Sequence, residues 1–220
     1  MIRRGIDRGQ RAAARFVAGG AVALTMALTM AFTVALLASC GGSSPLDNAP
    51  TIVNPASTSS NKLSFRYFQR CINPIFLTPL PINQNGTVST NTCAGSGCHD
   101  NASGTGGALR VLPAAQAVDL ANPANTADAV RTTDMYKNFY SAQGEVVIGQ
   151  PAQSRLLNKP LVRGVLHGGG QIFDNDQDAN SRRIAYWINN PMPQGQDEFS
   201  TAANALFTPP DANTGTCNTN

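Results

Sequence analysis

Two thiols and an imidazole fall within one short stretch, Cys93-Ala94-Gly95-Ser96-Gly97-Cys98-His99. Thiols can add to vinyl groups as thioethers, and the neutral imidazole beside the second thiol can bind a metal. Together they suit covalent attachment of a haem with His99 as the proximal iron ligand, the task usually carried by C-x-x-C-H. Four residues separate the thiols here rather than two. Two other chemistries compete for the same residues. Cys93 and Cys98 could close a small disulfide loop, which gives His99 no role. Cys93, Cys98, His99 and His167 would also make a legal zinc set, although the adjacent side chains of Cys98 and His99 converge poorly on one tetrahedral ion. Asp174, Asp176 and Asp178 have the alternate spacing of a calcium loop, but Ala179 and Ala185 stand where Gly and Glu are needed. Helix capping is the better account of these aspartates.

The start of the chain places this chemistry outside the cytoplasm. Arg3, Arg4, Arg8, Arg11 and Arg15 precede an uncharged, mostly apolar run from Val17 to Leu37. That order reads as a secretory signal, expected over residues 1–39, with an uncleaved transmembrane anchor as the alternative, since roughly 20 apolar residues span a bilayer. Leu37-Ala38-Ser39-Cys40 resembles the lipobox of bacterial lipoproteins. The resemblance implies cleavage before Cys40 and a lipid anchor on it. Gly41, where an Asp would retain the protein at the inner membrane, implies sorting to the outer membrane. The chain has 16 Lys and Arg against 13 Asp and Glu. The signal holds five of those arginines and one acid, Asp7, so the mature chain is close to neutral. A clustered basic face for nucleic acid is not in evidence.

Export also bears on the five cysteines. With Cys40 lipidated and Cys93 and Cys98 at the site, Cys71 and Cys217 remain as an even pair in an oxidising compartment. A disulfide between them is expected to tie the tail to the first helix.

The positioning elements are mainly helical in pattern. Residues 40–62 are rich in Gly, Ser, Asn and Thr and read as a flexible tether. Ser64 is a candidate N-cap for a helix with Phe65, Phe68 and Ile72 on one face, ended or kinked at Asn73-Pro74. Residues 77–92 turn polar, with Asn85-Gly86 as a turn signal. A helix is expected from Thr126 to Ser141, with Val130, Met135, Phe139 and Tyr140 for its core face. Asp178 should cap a last helix carrying Ile184, Trp187 and Ile188. Residues 63–195 thus read as one mostly α domain, small and helical with long loops, and 196–220 as a polar C-terminal tail.

The ordered set Ile72-Asn73-Pro74-Ile75-Phe76, Cys93 to His99, Gly106 to Arg110, Gly149 to Pro160 and Trp187-Ile188 resembles the cytochrome c-like domains of bacterial exported lipoproteins, of planctomycete and proteobacterial type. The resemblance spans roughly 65–190. It implies one covalently bound haem c, electron transfer in the periplasm or at the cell surface, and a redox partner protein of unknown identity. Many relatives place a Met-Pro before the last helix as the sixth ligand. This chain has Leu166-His167-Gly168-Gly169-Gly170 there, so by position the resemblance makes His167 the candidate distal axial ligand, with loop hydrogen bonding as its alternative role. Met192-Pro193 falls on the wrong side of that helix. No second catalytic constellation appears, so independent enzyme activity is not expected. The rival reading is a haem-free binding or scaffold lipoprotein with Cys93 and Cys98 oxidised to a disulfide.

Overall fold

The first helix, α1, begins where Ser64 accepts a hydrogen bond from the Tyr67 N–H through its side chain (3.0 Å). It runs over 65–77 in three parts: Phe65–Tyr67, a π-helical turn Phe68–Ile72, and Asn73–Leu77. Pro74 therefore does not end the helix. It sits in the first turn of the last part, where a missing N–H costs nothing, and the π-turn absorbs the change of register. The computed structural model describes residues 62–220. The expected signal, the expected lipidation site Cys40 and the expected tether up to residue 61 lie outside them.

A two-stranded hairpin follows, β1 (Leu80–Gln84) against β2 (Thr87–Asn91), in register from Leu80↔Asn91 to Gln84↔Thr87. Its loop is Asn85-Gly86, with φ of 52° and 83°. Two positive φ angles in a row are what a tight hairpin turn requires, and Asn-Gly supplies them. The expected single helix at 126–141 is two: α2 (Ala127–Arg131) and α3 (Asp134–Gln143). Each starts on a threonine whose hydroxyl accepts a backbone N–H, Thr126 from Ala129 and Thr133 from Tyr136. Tyr140, expected on the core face, is 47% exposed, whereas Val130, Met135 and Phe139 are buried. Next come a 3₁₀ turn at Pro151–Gln153, the short α4 (Arg155–Asn158) and α5 (Ala179–Asn189). Asp178 caps α5, its carboxylate accepting from the Asn180 and Ser181 N–H groups.

The domain is therefore not mostly α. Among the described residues 33% are helical and 11% are in strands, with no clear cytochrome-like helical bundle. Two causes are visible. The polar stretch after α1 pairs with itself through its Asn-Gly turn, and a second small sheet pairs β3 (Phe207–Thr208) with β4 (Thr216–Cys217). The remaining helices are also short, interrupted by threonine, glycine and proline.

The core lies between α1, α3 and α5. Phe65 and Phe68 meet Phe139 edge-on at 5.5 and 5.4 Å, and Phe68 meets Trp187 at 5.5 Å. Each such pair contributes roughly 0.5–1.5 kcal/mol beyond the area it buries. The Trp187 indole N–H donates to the Ser64 carbonyl at 3.0 Å, so its polar atom is satisfied inside the core. Residues 196–220, polar in composition, also pack here. Ala203 and Phe207 are buried, and Cys217 is joined to Cys71 of α1 in a disulfide. Glu198 is buried with Lys62 at 3.0 Å, Arg131 at 2.9 Å and the Tyr136 hydroxyl at 3.1 Å. Burial alone would raise its carboxyl pKa. A backbone hydrogen bond and the two cations outweigh that and hold it below the usual carboxylate value.

Candidate haem site

The Cys93–His99 stretch is a closed turn. The His99 N–H donates to the Cys93 carbonyl and the Cys98 N–H to the Gly95 carbonyl, both at 2.9 Å. Two glycines make room for the longer spacing. Gly97 has φ +80°, and a Cβ on Gly95 would sit 2.3 Å from the Asn91 side-chain oxygen. The turn is anchored to α1 by the Ala94 N–H on the Phe76 carbonyl (3.0 Å). Asn91, at the end of β2, donates to the Cys98 sulfur at 3.5 Å. Cys93 and Cys98 are both free thiols and partly buried. Burial, with Cys98 as a neighbour, pushes the Cys93 thiol up to about 11.

His99 is fixed on both sides. Its carbonyl accepts from the Val111 N–H (2.8 Å), and its Nδ1 lies 3.1 Å from the Leu109 carbonyl. A carbonyl can only accept, so Nδ1 carries the proton and Nε2 keeps its lone pair. The Gly106 backbone crosses the ring so closely that a Cβ there would lie 2.7 Å from Nδ1. Burial is the main cause that lowers the His99 pKa, and the nearby His167, Lys159 and Arg110 add to it. The neutral form that binds metal is thus favoured.

His167 comes from the loop between α4 and α5. Its Nδ1 lies 2.7 Å from the Gly170 carbonyl, so its free nitrogen is also Nε2. The hairpin holds this loop. Asn83 and Gln171 exchange backbone hydrogen bonds at 2.8 and 2.9 Å, and Gln84 donates to the Gly168 carbonyl at 3.2 Å. Gly170 must be glycine for this approach, since a Cβ would lie 2.6 Å from the Asn83 oxygen.

The two imidazoles face one cavity of about 430 Å³, with ring centroids 6.2 Å apart and planes within 9° of parallel. Metal–imidazole nitrogen bonds are about 2 Å and a centroid lies roughly 1 Å behind its nitrogen, so trans imidazoles on one ion have centroids about 6 Å apart. The observed centroid separation is of that size, in parallel, stacked rings. Cys93 and Cys98 line the same cavity, as do Ile75, Phe76, Leu80 and Leu109. Its volume is in the range of cofactor pockets. A macrocycle that brings its own equatorial nitrogens needs only two protein ligands, so the donor set fits a haem.

The other metal readings fit less well. Among the described residues, no group of three or more His, Cys, Asp or Glu is gathered to hold an ion, so the four-ligand zinc set is not assembled. Asp178 is engaged in capping α5 and Asp176 pairs with Arg163. Met192 is buried and does not line the cavity.

Sequence reasoning passed over the carbonyls of Leu109 and Gly170, which set both tautomers, and the cavity-lining cations Arg155 and Lys159. The carbonyls leave no sequence signal. The cations did leave one, a like-charged pair four residues apart. No protein-family model, curated protein or solved structure matches this chain.

Proposed function

We propose that this chain is an exported, lipid-anchored electron carrier that holds one haem c covalently through Cys93 and Cys98, with His99 and His167 as the two axial ligands. The reading is carried by the parallel pair of imidazoles at 6.2 Å, each with its Nδ1 turned to a backbone carbonyl. Bound there, the group would supply one-electron redox chemistry at iron. The chain's own part is to fix the ligands and exclude water. The Nδ1–H···O=C bonds hold each ring in one tautomer and make its Nε2 more basic. Ile75, Phe76, Leu80 and Leu109 wall the cavity with apolar surface. Two imidazoles lack the thioether sulfur that raises the potential of His/Met centres, so a low potential is expected. Were His99 and His167 both to hold the iron, electron transfer would be favoured over small-molecule chemistry. Anchoring at the outer membrane through Cys40 belongs to the same proposal and rests on residues 1–41 alone.

The test is to mature the protein with c-type haem assembly factors and record its denatured pyridine haemochrome spectrum. A haem band that survives denaturation is the expected result. No band, together with a mass two hydrogens light across Cys93 and Cys98, would replace this reading with the haem-free scaffold. In the haem-loaded protein, His167→Ala should convert a six-coordinate low-spin spectrum to a five-coordinate or water-bound one. An unchanged spectrum removes His167 from the ligands.

A further inference from the structure

Eleven Lys and Arg side chains occupy the described residues, and most have an oxygen to donate to. Lys62, Arg131, Lys137 and Arg163 pair with carboxylates. Arg66, Arg70, Arg182 and Arg183 donate to backbone or amide oxygens. The exceptions cluster. Arg155 and Lys159 both line the cavity, and their side chains form no ion pair or hydrogen bond among the described residues. Arg110, close enough to His99 to act on its charge, reaches only the adjacent Leu109 carbonyl, at 3.4 Å.

Arg155 opens α4 and Lys159 is its C-terminal cap. Four residues apart, they share one helix face, and like charges at that spacing repel. Lys159 is also only half-exposed, with its Nζ lying 3.7 Å from where a Cβ on Gly107 would be. Glu145 is the one carboxylate lining the cavity, and neither cation pairs with it. A net positive edge on an otherwise apolar cavity is complementary to a flat apolar ligand with acidic arms.

We propose that Arg155 and Lys159 form an anion-binding edge of this cavity and that its ligand lies with its carboxylates against them. The inference rests on the haem reading and adds to it. It says that the two propionates are recognition elements, and that this edge sets which way round the macrocycle enters. Charge-assisted hydrogen bonds to two carboxylates should favour the diacid over a neutral analogue by roughly 10–100-fold.

The experiment compares iron protoporphyrin with its dimethyl ester, titrated in mild detergent into the mature chain carrying Cys93→Ser and Cys98→Ser, which keeps binding reversible. Quenching of the single tryptophan, Trp187, and the Soret shift both report binding. The expected result is at least tenfold tighter binding of the diacid at low salt, with an advantage that shrinks as salt rises. Arg155→Gln with Lys159→Gln should abolish the advantage and leave ester affinity unchanged. Circular dichroism verifies that this variant is folded. Equal affinity for acid and ester, or a preference that survives the double substitution, overturns the anion edge and leaves the haem reading standing. Binding of neither porphyrin overturns both. Preserved diacid preference with a matching response to an acidic peptide competitor would instead assign the edge to a protein partner, and would also overturn the proposal.

Discussion

Opening the Cys71–Cys217 disulfide should cost this domain a large part of its stability. The two residues are 146 apart in sequence, and closing a loop of that length in the unfolded chain removes conformational entropy worth up to about 5 kcal/mol. Native bridges of small exported domains return about 2–5 kcal/mol in practice, against a total stability of about 5–15 kcal/mol. The perturbation is Cys217→Ala, because Cys217 is partly exposed and Cys71 is buried, so little packing is lost. The assay is equilibrium unfolding in urea of the haem-free protein, followed by Trp187 fluorescence. With a denaturant slope of about 2 kcal/mol per molar, the midpoint should fall by about 1–2.5 M. Cys71→Ala with Cys217→Ala should fall only slightly further, since either substitution already opens the loop. A midpoint shift under roughly 0.5 M would refute the reasoning. It would mean that residues 196–220 are held by Phe207 and Glu198 and that the bridge adds little.

The remaining predictions concern single groups. Glu198→Gln should cost about 1–2 kcal/mol at neutral pH, a modest figure because Lys62 and Arg131 stay partly exposed to water. The depressed folded pKa of Glu198 fixes the sign. Its stabilisation is present above the unfolded carboxylate value of about 4.3 and is lost as pH falls through the lower folded value. Urea midpoints of wild type and Glu198→Gln should therefore differ at pH 7 and converge at acid pH. Gly97→Ala meets no atom within 4 Å and should cost only the strain of its positive φ, about 1 kcal/mol. Gly106→Ala places a methyl 2.7 Å from His99 Nδ1. In the haem-loaded form proposed above, it should disturb the spectrum in a way that Gly97→Ala does not.

Helix signals carried by local chemistry were legible. Ser64 and Asp178 cap the helices they were expected to cap, and Ile184, Trp187 and Ile188 are buried on one face as their spacing requires. The hairpin was not legible as strand. Every residue of β2 is exposed, so it lacks the alternation that burial on one face imposes on a sequence, and only Asn85-Gly86 marked the place. The break at Thr132-Thr133 was hidden because apolar residues on both sides continue to serve the same core. The polar composition of 196–220 concealed how deeply Ala203 and Phe207 pack. At the site, Cys93, Cys98 and His99 stand out by spacing, whereas His167 could be reached only by position within an ordered set. Of the glycines that permit close approach, those at 95 and 170 read from sequence as loop, and the one at 106 as a glycine-rich loop that could equally let backbone lie close to a flat ligand. Their necessity appears only once Asn91, His99 and Asn83 are brought against them.

One inserted residue gives α1 two jobs. An α-helix advances about 100° per residue, so the single extra residue in the π-turn Phe68–Ile72 rotates everything after it by about that angle. Before and at the start of the turn, Phe65 and Phe68 point into the aromatic core. After it, Ile75 and Phe76 also line the cavity, with Phe76 still edge-on to Phe68 at 6.0 Å. Removing one residue from the turn would restore a continuous α-helical phase and swing both side chains off the pocket. A phase shift within one helix thus lets α1 serve both the core and the cavity wall.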